Sequence, residues 1–289
     1  MTKLYGKTAI VTGTSRPGGI GAAICRTLAQ EGANLFYTHL YDYDKTENSG
    51  DADENWPDLF AEELRSYGIK AAHMELDLTD PASPGRLLEA TRSAVGLPTI
   101  LVNNATYSVS ADFHQLNASL IDAHCAVNIR GTFMLSVEFA RMLEVEQTAA
   151  AATTIDNTGA GSTHAVSAGI AGLTSDQIVR GGRIINLTSG QGKGPMPGNL
   201  AYAATKGALS TFTESLSVEL APLHITVNAV DPGPTDTGWM SEEVKKDLLP
   251  RFPMGRVGLP EDVSRLIAFL ASDDSQWITG QIIHSRGGF

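Results

Sequence analysis

Cysteine is nearly absent from the chain: Cys25 and Cys125 are the only two among 289 residues. Both lie in stretches with helical patterning. That excludes a disulfide-stapled scaffold and reads as two small buried thiols. Histidine is scarce too, and His73, His114, His124 and His164 show no ligand spacing, so no metal site is expected. No run of about 18 uncharged apolar residues is present to cross a membrane. The opening MTKLYGKTAIVTG lacks the apolar centre of a secretory signal. Cations are outnumbered, with Lys plus Arg at 21 against Asp plus Glu at 32, a net charge of −11. Such a chain is a poor partner for nucleic acid or an anionic membrane. A soluble, cytoplasmic protein is the expectation. With 42% hydrophobic and 18% charged residues, the chain can build a sizeable core.

What is present is an alternation. Runs of strand composition occupy Thr8 to Val11, Asn34 to Thr38, Ala71 to Leu76, Thr99 to Val102, Arg183 to Leu187 and Ile225 to Val230. Between them apolar residues recur at helical spacing. Ile20, Ile24 and Leu28 form one stripe, Leu209, Phe212, Leu216 and Leu220 another, and Val263, Leu266, Ile267 and Leu270 a third. Strand alternating with helix predicts an α/β fold: a doubly wound, mostly parallel sheet of the Rossmann type, helices on both faces, in one domain over 1–289. Two stretches fall outside the pattern. Asp42 to Asn55 is acid-rich and reads as a surface loop. Residues 145 to 180 are rich in Ala, Thr, Gly and Ser and read as a surface insertion, or else as a helical flap or oligomer contact.

Two segments carry chemistry. The first is VTGTSRPGGIGAAI, residues 11 to 24. Its glycines depart from the G-x-G-x-x-G fingerprint, yet they meet the needs of a phosphate cradle at a helix N-terminus. Gly13 can supply the tight turn, Gly19 the close approach and Gly21 the packing of helix on sheet. The second is Tyr202-Ala203-Ala204-Thr205-Lys206, which stacks a phenol and an ammonium one helical turn apart. A nearby ammonium favours the phenolate, so the tyrosine can exchange a proton with an alcohol or carbonyl. Ser189 ends a strand thirteen residues before Tyr202. A strand end delivers its hydroxyl to the carboxyl edge, where doubly wound sheets bind ligands. Thr188 is the neighbouring hydroxyl.

Together with Val102-Asn103-Asn104-Ala105 and Pro232-Gly233 followed by Thr237, these segments resemble the short-chain dehydrogenase/reductase family. The resemblance runs from Gly6 to Phe289 apart from the acidic stretch and the insertion. The chain departs from the family's T-G-x-x-x-G-I-G by two extra residues around Arg16-Pro17-Gly18, and Thr106 replaces the last glycine of N-N-A-G. Its closest look is to 3-oxoacyl-carrier-protein-reductase-like members. The resemblance implies catalytic Asn128, Ser189, Tyr202 and Lys206, with the Asn128 amide holding a water that links Lys206 to solvent. It implies a nicotinamide cofactor on the loop Gly13, Ser15, Arg16, Gly19, Ile20 and Gly21. Further contacts come from His39, from Asp77 and Leu78, and from Asn104 and Ala105. Pro232, Gly233, Thr235 and Thr237 lie near the nicotinamide, and Tyr202 and Lys206 also touch the cofactor. His39 stands where NAD-binding members place an acid, and Arg16 matches a basic position. NADP(H) is therefore expected, with NAD(H) as the alternative and Asp42 and Asp44 counting against the preference. Gln191, Met196, Trp239 and Met240, helped by Phe252, are the expected substrate contacts under a mobile lid. The implied activity interconverts a carbonyl and a secondary alcohol on a small molecule, in a homodimer or homotetramer whose interface the insertion adjoins. The alternatives are a non-catalytic nucleotide-binding regulator on the same fold, or a family epimerase or dehydratase.

Overall fold

A computed structural model describes residues 2–46, 53–158 and 181–289. The first half of the chain runs β1 (Thr8–Val11), α1 (Ile20–Gln30), β2 (Asn34–His39), α2 (Tyr41–Thr46), α3 (Trp56–Arg65), β3 (Ala71–Glu75), α4 (Ser83–Ala94), β4 (Ile100–Asn103) and α5 (Ala118–His124). The second half runs α6 (Thr132–Thr158), β5 (Arg183–Leu187), α7 (Leu200–Leu220), β6 (Thr226–Asp231), α8 (Glu242–Leu248), α9 (Pro260–Ala271) and β7 (Ile282–His284). The strands form one sheet in the order β3-β2-β1-β4-β5-β6-β7, every pair parallel. This is the doubly wound arrangement expected, and strand order reverses between β1 and β4. A crevice opens there at the carboxyl ends of the strands.

The strands alternate their side chains between two cores. Ala9, Val11, Ile100, Val102 and Ile185 face one cluster with Ile24, Leu28, Phe60, Leu64 and Ile267, which places α1, α3 and α9 on that side. Ile10, Leu101 and Ile184 face the other with Leu87, Leu135, Phe139, Leu143 and Leu216, which places α4, α6 and α7 there. Residues of β1, β4, β5 and β6 are buried throughout, as strands covered on both faces must be.

One expectation needs correction. The acid-rich stretch is not wholly loop, because Tyr41–Thr46 is helical; residues 47–52 lie outside the described residues. Of the readings open for the insertion, its first part is helical, because α6 continues to Thr158. Ala149 to Ala152 are strong helix formers, and polar anchors hold this part of the helix: Arg92 pairs with Glu146 at 2.6 Å and Gln147 donates to the Leu223 carbonyl at 2.9 Å. The rest of the insertion, 159–180, lies outside the described residues.

A chain of buried polar side chains crosses the middle of the sheet. Asn103 Nδ2 donates to Ser136 Oγ at 2.9 Å and to Asn186 Oδ1 at 2.8 Å, and Asn186 Nδ2 donates to Thr213 Oγ1 at 2.9 Å. All four residues are buried. The chain ties α6 to β4, β4 to β5 and β5 to α7, which sets the helix carrying Tyr202 against the strand carrying Ser189. Removing its centre leaves buried groups unpaired, each worth about 1–3 kcal/mol. Asn186→Ala is therefore expected to lower unfolding free energy by about 2–4 kcal/mol, read from the urea midpoint at unchanged slope. A loss below about 0.5 kcal/mol would show that the chain does not brace the sheet.

Candidate active site

Ser189 follows β5 in extended conformation and opens a tight turn over Gly190–Gly192. Gln191 fastens this turn to α7, its Nε2 donating to the Lys206 carbonyl at 3.2 Å and to Ser210 Oγ at 3.0 Å. The Ser189 and Tyr202 side chains face each other on the wall of the same cavity. One turn further along α7, Lys206 is 3% exposed, and its Nζ donates to the Leu187 carbonyl at 2.7 Å. The ammonium lies 5.6 Å from the Tyr202 ring centroid. Burial pulls Lys206 down to about 8. Burial also raises the Tyr202 phenol; the facing Ser189 hydroxyl opposes that and the Asp231 carboxylate adds to it. This corrects the expectation of a phenol made acidic by its lysine. The ammonium gives its hydrogen bond to Leu187, and burial dominates at the phenol.

Asn128 sits in a widened π-type helical turn, Cys125–Gly131, between α5 and α6, a distortion often found at functional sites. Its Oδ1 accepts from Thr106 Oγ1 at 3.1 Å and from the Tyr107 amide at 2.8 Å. Its Nδ2 donates to the Tyr107 carbonyl at 2.9 Å and to Thr205 Oγ1 at 3.0 Å. These four bonds exhaust an amide side chain. The expectation that this amide holds a water is therefore corrected. The side chain instead clamps the 106–107 loop to Thr205, the neighbour of Lys206.

The glycine loop is built by contact. Gly13 has φ +70, and a Cβ there would lie 2.5 Å from Ala105 Cα. Asn104 Nδ2 donates to the carbonyls of Thr12 at 2.9 Å and Gly13 at 2.8 Å, and the Ala105 amide donates to Thr12 Oγ1 at 3.0 Å. A Cβ on Gly21 would lie 2.7 Å from Thr14 Oγ1. Gly19 begins α1 with no side chain capping it, which leaves first-turn N–H groups for an anion. The extra residues are pinned, since Arg16 O accepts from the Gly19 amide at 3.2 Å and Pro17 O accepts from Arg26 Nη1 at 3.0 Å. Ser15 Oγ accepts from the Leu40 amide at 3.3 Å. Arg16 lies 3.8 Å from the Asp44 carboxylate and donates to the Thr237 carbonyl at 3.4 Å. These features fit a dinucleotide.

Other expected cofactor contacts are turned elsewhere. His39 Nε2 meets His73 Nδ1 at 3.1 Å, and burial, with His73 second, pulls His39 down to about 4. Asp77 is exposed and closes a turn onto the Thr79 amide at 2.8 Å. The Leu78 side chain is packed into the core, so only its backbone is free to meet a ligand.

A cavity of about 520 Å³ opens over Ser189 and Tyr202. Ile20, Pro232, Gly233, Thr235 and Thr237 line it, as do Met196 and Trp239. Thr188 lines it too, and its Oγ1 is buried without a partner among the described residues. Two expected substrate contacts fail here. Gln191 is bonded to α7, and Met240 is buried without lining the cavity. Phe252 lines an adjoining cavity of about 590 Å³. Sequence reasoning missed Lys193, Arg251, Arg286 and Phe289, which also line the first cavity. A lone arginine within the otherwise uncharged end SRGGF was the available signal.

The family model for short chain dehydrogenase matches residues 7–168, and the model for enoyl-(acyl carrier protein) reductase matches residues 145–289. The chain belongs to the short-chain dehydrogenase/reductase family. It is an oxidoreductase acting on carbonyl and CH–OH groups, in a family that binds NAD(P). This short-chain dehydrogenase/reductase is 46% identical to the uncharacterized oxidoreductase YjdA of Bacillus subtilis (strain 168), over 98% of this chain and 96% of that protein. It is 33% identical to the 3-oxoacyl-[acyl-carrier-protein] reductase FabG of Aquifex aeolicus (strain VF5), over 99% and 98%. Among solved structures it resembles a blue fluorescent protein from a metagenomic library in complex with NADPH, with TM-score 0.75, 28% identity and 99% of each chain covered.

The buried ammonium gives this short-chain dehydrogenase/reductase a measurable cost. Lys206 titrates at about 8 in the folded chain against 10.5 for the free side chain. Between those values the unfolded chain holds the proton and the folded chain does not, so stability rises with pH there. At pH 7 Lys206→Met is expected to recover a burial gap of about 3 kcal/mol, less about 1–3 kcal/mol for the Leu187 carbonyl it leaves unpaired. The gap should close as pH rises from about 8 to about 10.5, read by denaturant unfolding at each pH. A constant gap would show that Lys206 keeps its ordinary lysine pKa in the fold, so that burial does not pull it down.

Proposed function

We propose that the enzyme reduces a carbonyl to a secondary alcohol with NADP(H), with Ser189, Tyr202 and Lys206 as its catalytic groups and Asn128 as a positioning residue. The observation that carries this is the paired hydroxyls of Ser189 and Tyr202 above the buried Lys206 ammonium, at the rim of the cavity. When bound, the nicotinamide supplies or takes the hydride. Tyr202 exchanges a proton with the substrate oxygen, and Ser189 hydrogen-bonds that oxygen. The phenol keeps its proton at neutral pH, which suits a donor to a carbonyl. Lys206 places positive charge next to the phenol, and Asn128 holds the loop and helix that frame it.

Gly13, Gly19, Gly21 and the start of α1 would hold the pyrophosphate, Asn104 and Ala105 would fix that loop from β4, and Thr235 and Thr237 would meet the nicotinamide end. Arg16 and the lack of an acid at His39 support NADP(H), as does the resemblance to a protein solved with NADPH. Asp44 competes for Arg16. A dimer or tetramer through α6 and α7 suits the apolar side chains those helices leave exposed, Met134, Val145 and Val218. A cytoplasmic setting suits the two free thiols, and no described helix is long and apolar enough to cross a membrane.

Tyr202→Phe should lower kcat by about 10²–10⁴ while NADPH affinity, followed by nicotinamide fluorescence, moves far less. Comparable losses in both would assign Tyr202 to binding alone. Arg16→Ala should raise KM for NADPH by tenfold or so and barely change that for NADH, whereas Asp44→Asn should lower KM for NADPH. Equal effects on the two nucleotides would sink the NADP(H) assignment.

A further inference from the structure

The cavity over Ser189 and Tyr202 has a one-sided charge. Lys193, Arg251 and Arg286 line it and, among the described residues, no aspartate or glutamate does. On a chain of net charge −11, a lining drawn at random would favour acids. Neither Lys193 nor Arg251 forms an ion pair among the described residues. Arg251 has its guanidinium 4.1 Å from the Phe289 ring centroid, a contact that does not neutralise its charge.

Arg286 is placed by the fold. Asp231, fully buried at the end of β6, accepts from Arg286 Nη1 at 2.8 Å, from His284 Nδ1 at 2.9 Å and from the Gly233 amide at 2.9 Å. One carboxylate thus serves three donors and does not cover the guanidinium. Arg286 Nε donates to the Phe289 carbonyl at 3.2 Å, and Nη2 has no hydrogen-bond partner among the described residues. Two glycines clear the way for this side chain. A Cβ on Gly190 would collide with Arg286 Nη1, and one on Gly233 would lie 2.9 Å from its Cγ.

The cations do not belong to the cofactor's phosphate cradle. Lys193 follows β5, Arg251 follows α8 and Arg286 follows β7, all on the β5–β7 half of the sheet, whereas the glycine loop follows β1. We propose that the carbonyl substrate carries an anionic group, a carboxylate or a phosphate, which Arg286, Lys193 and Arg251 bind while the reacting carbonyl lies on Ser189 and Tyr202. The inference rests on the reading of Ser189 and Tyr202 as the reaction centre.

Matched probes test it: 3-oxobutanoate and levulinate with their methyl esters, and dihydroxyacetone phosphate with dihydroxyacetone, each with NADPH. In at least one pair the anion is expected to exceed its neutral mate in kcat/KM by about tenfold or more at low ionic strength, the advantage shrinking as salt rises. The pair that shows it tells carboxylate from phosphate. Lys193→Gln combined with Arg251→Gln should cut the advantage at least severalfold; both positions are exposed, and a thermal melt confirms the fold. Binding of the same pairs to the enzyme with NADP⁺ is read separately by saturation-transfer NMR. Failure of every anion to bind, or neutral mates that bind and react as well as the anions, would overturn the inference. Anions that bind preferentially while no probe is reduced would uphold it and overturn the reductase reading instead.

Discussion

The ammonium of Lys206 is buried, and its hydrogen bond goes to one backbone carbonyl, that of Leu187. That acceptor exists because β4 stops early. β4 pairs with β5 only as far as Asn103 opposite Asn186, while β5 pairs with β6 one residue further, to Leu187. The step leaves the Leu187 carbonyl beyond the end of the β4 ladder, and a buried carbonyl needs a donor. Lys206 supplies it, and in doing so fixes the rotation of α7 about its axis. Once that rotation is set, Tyr202 faces Ser189 and Gln191 can close the turn between them. The position of the proton-handling groups thus follows from a difference of one residue in strand pairing.

The charge of the site runs against the charge of the molecule. The surface is acidic, yet the groups around the cavity are cationic: Lys206 beneath it, Lys193, Arg251 and Arg286 in its lining. Asp231 is the one buried acid at the adjoining strand end. Burial works to raise its carboxyl, but hydrogen bonds from Arg286, His284 and Gly233 outweigh that and hold it below the usual range. It stays ionised and orders the arginine. Its charge also adds to the raise of the Tyr202 phenol, so one carboxylate affects both the binding wall and the proton donor.

Parts of this were legible in the sequence because they rest on local backbone rules. Gly13 and Gly21 stand where a Cβ would strike Ala105 and Thr14, and the i to i+4 spacing of Tyr202 and Lys206 fixes their shared face whatever surrounds them. Roles that depend on distant partners were not legible. The Asn128 amide is saturated by Thr106, Tyr107 and Thr205, and no spacing rule foretells that count. Gln191 and Met240 lie next to the right segments but point the wrong way, which only packing decides. For residues 145 to 158 the alanine-rich composition is both a mark of low complexity and a strong helix preference, so composition alone left both readings open.

A site of this kind works against the fold that holds it. An ammonium pulled down to about 8 is stability lost to burial at neutral pH, whereas the raised phenol, neutral in folded and unfolded chain alike, costs nothing until pH nears its free value. The compensation lies directly behind them. The Ser136–Asn103–Asn186–Thr213 chain joins α6, β4, β5 and α7, and the last of these carries both Tyr202 and Lys206. Its hydrogen bonds are buried and directional, so they resist the sliding of α7 along β5 that would let Lys206 reach water. Apolar packing alone would not, because it is tolerant of small shifts that keep the same area buried. The polar chain in the core and the cationic group at the surface of that core are therefore parts of one device: the first holds the register that the second needs.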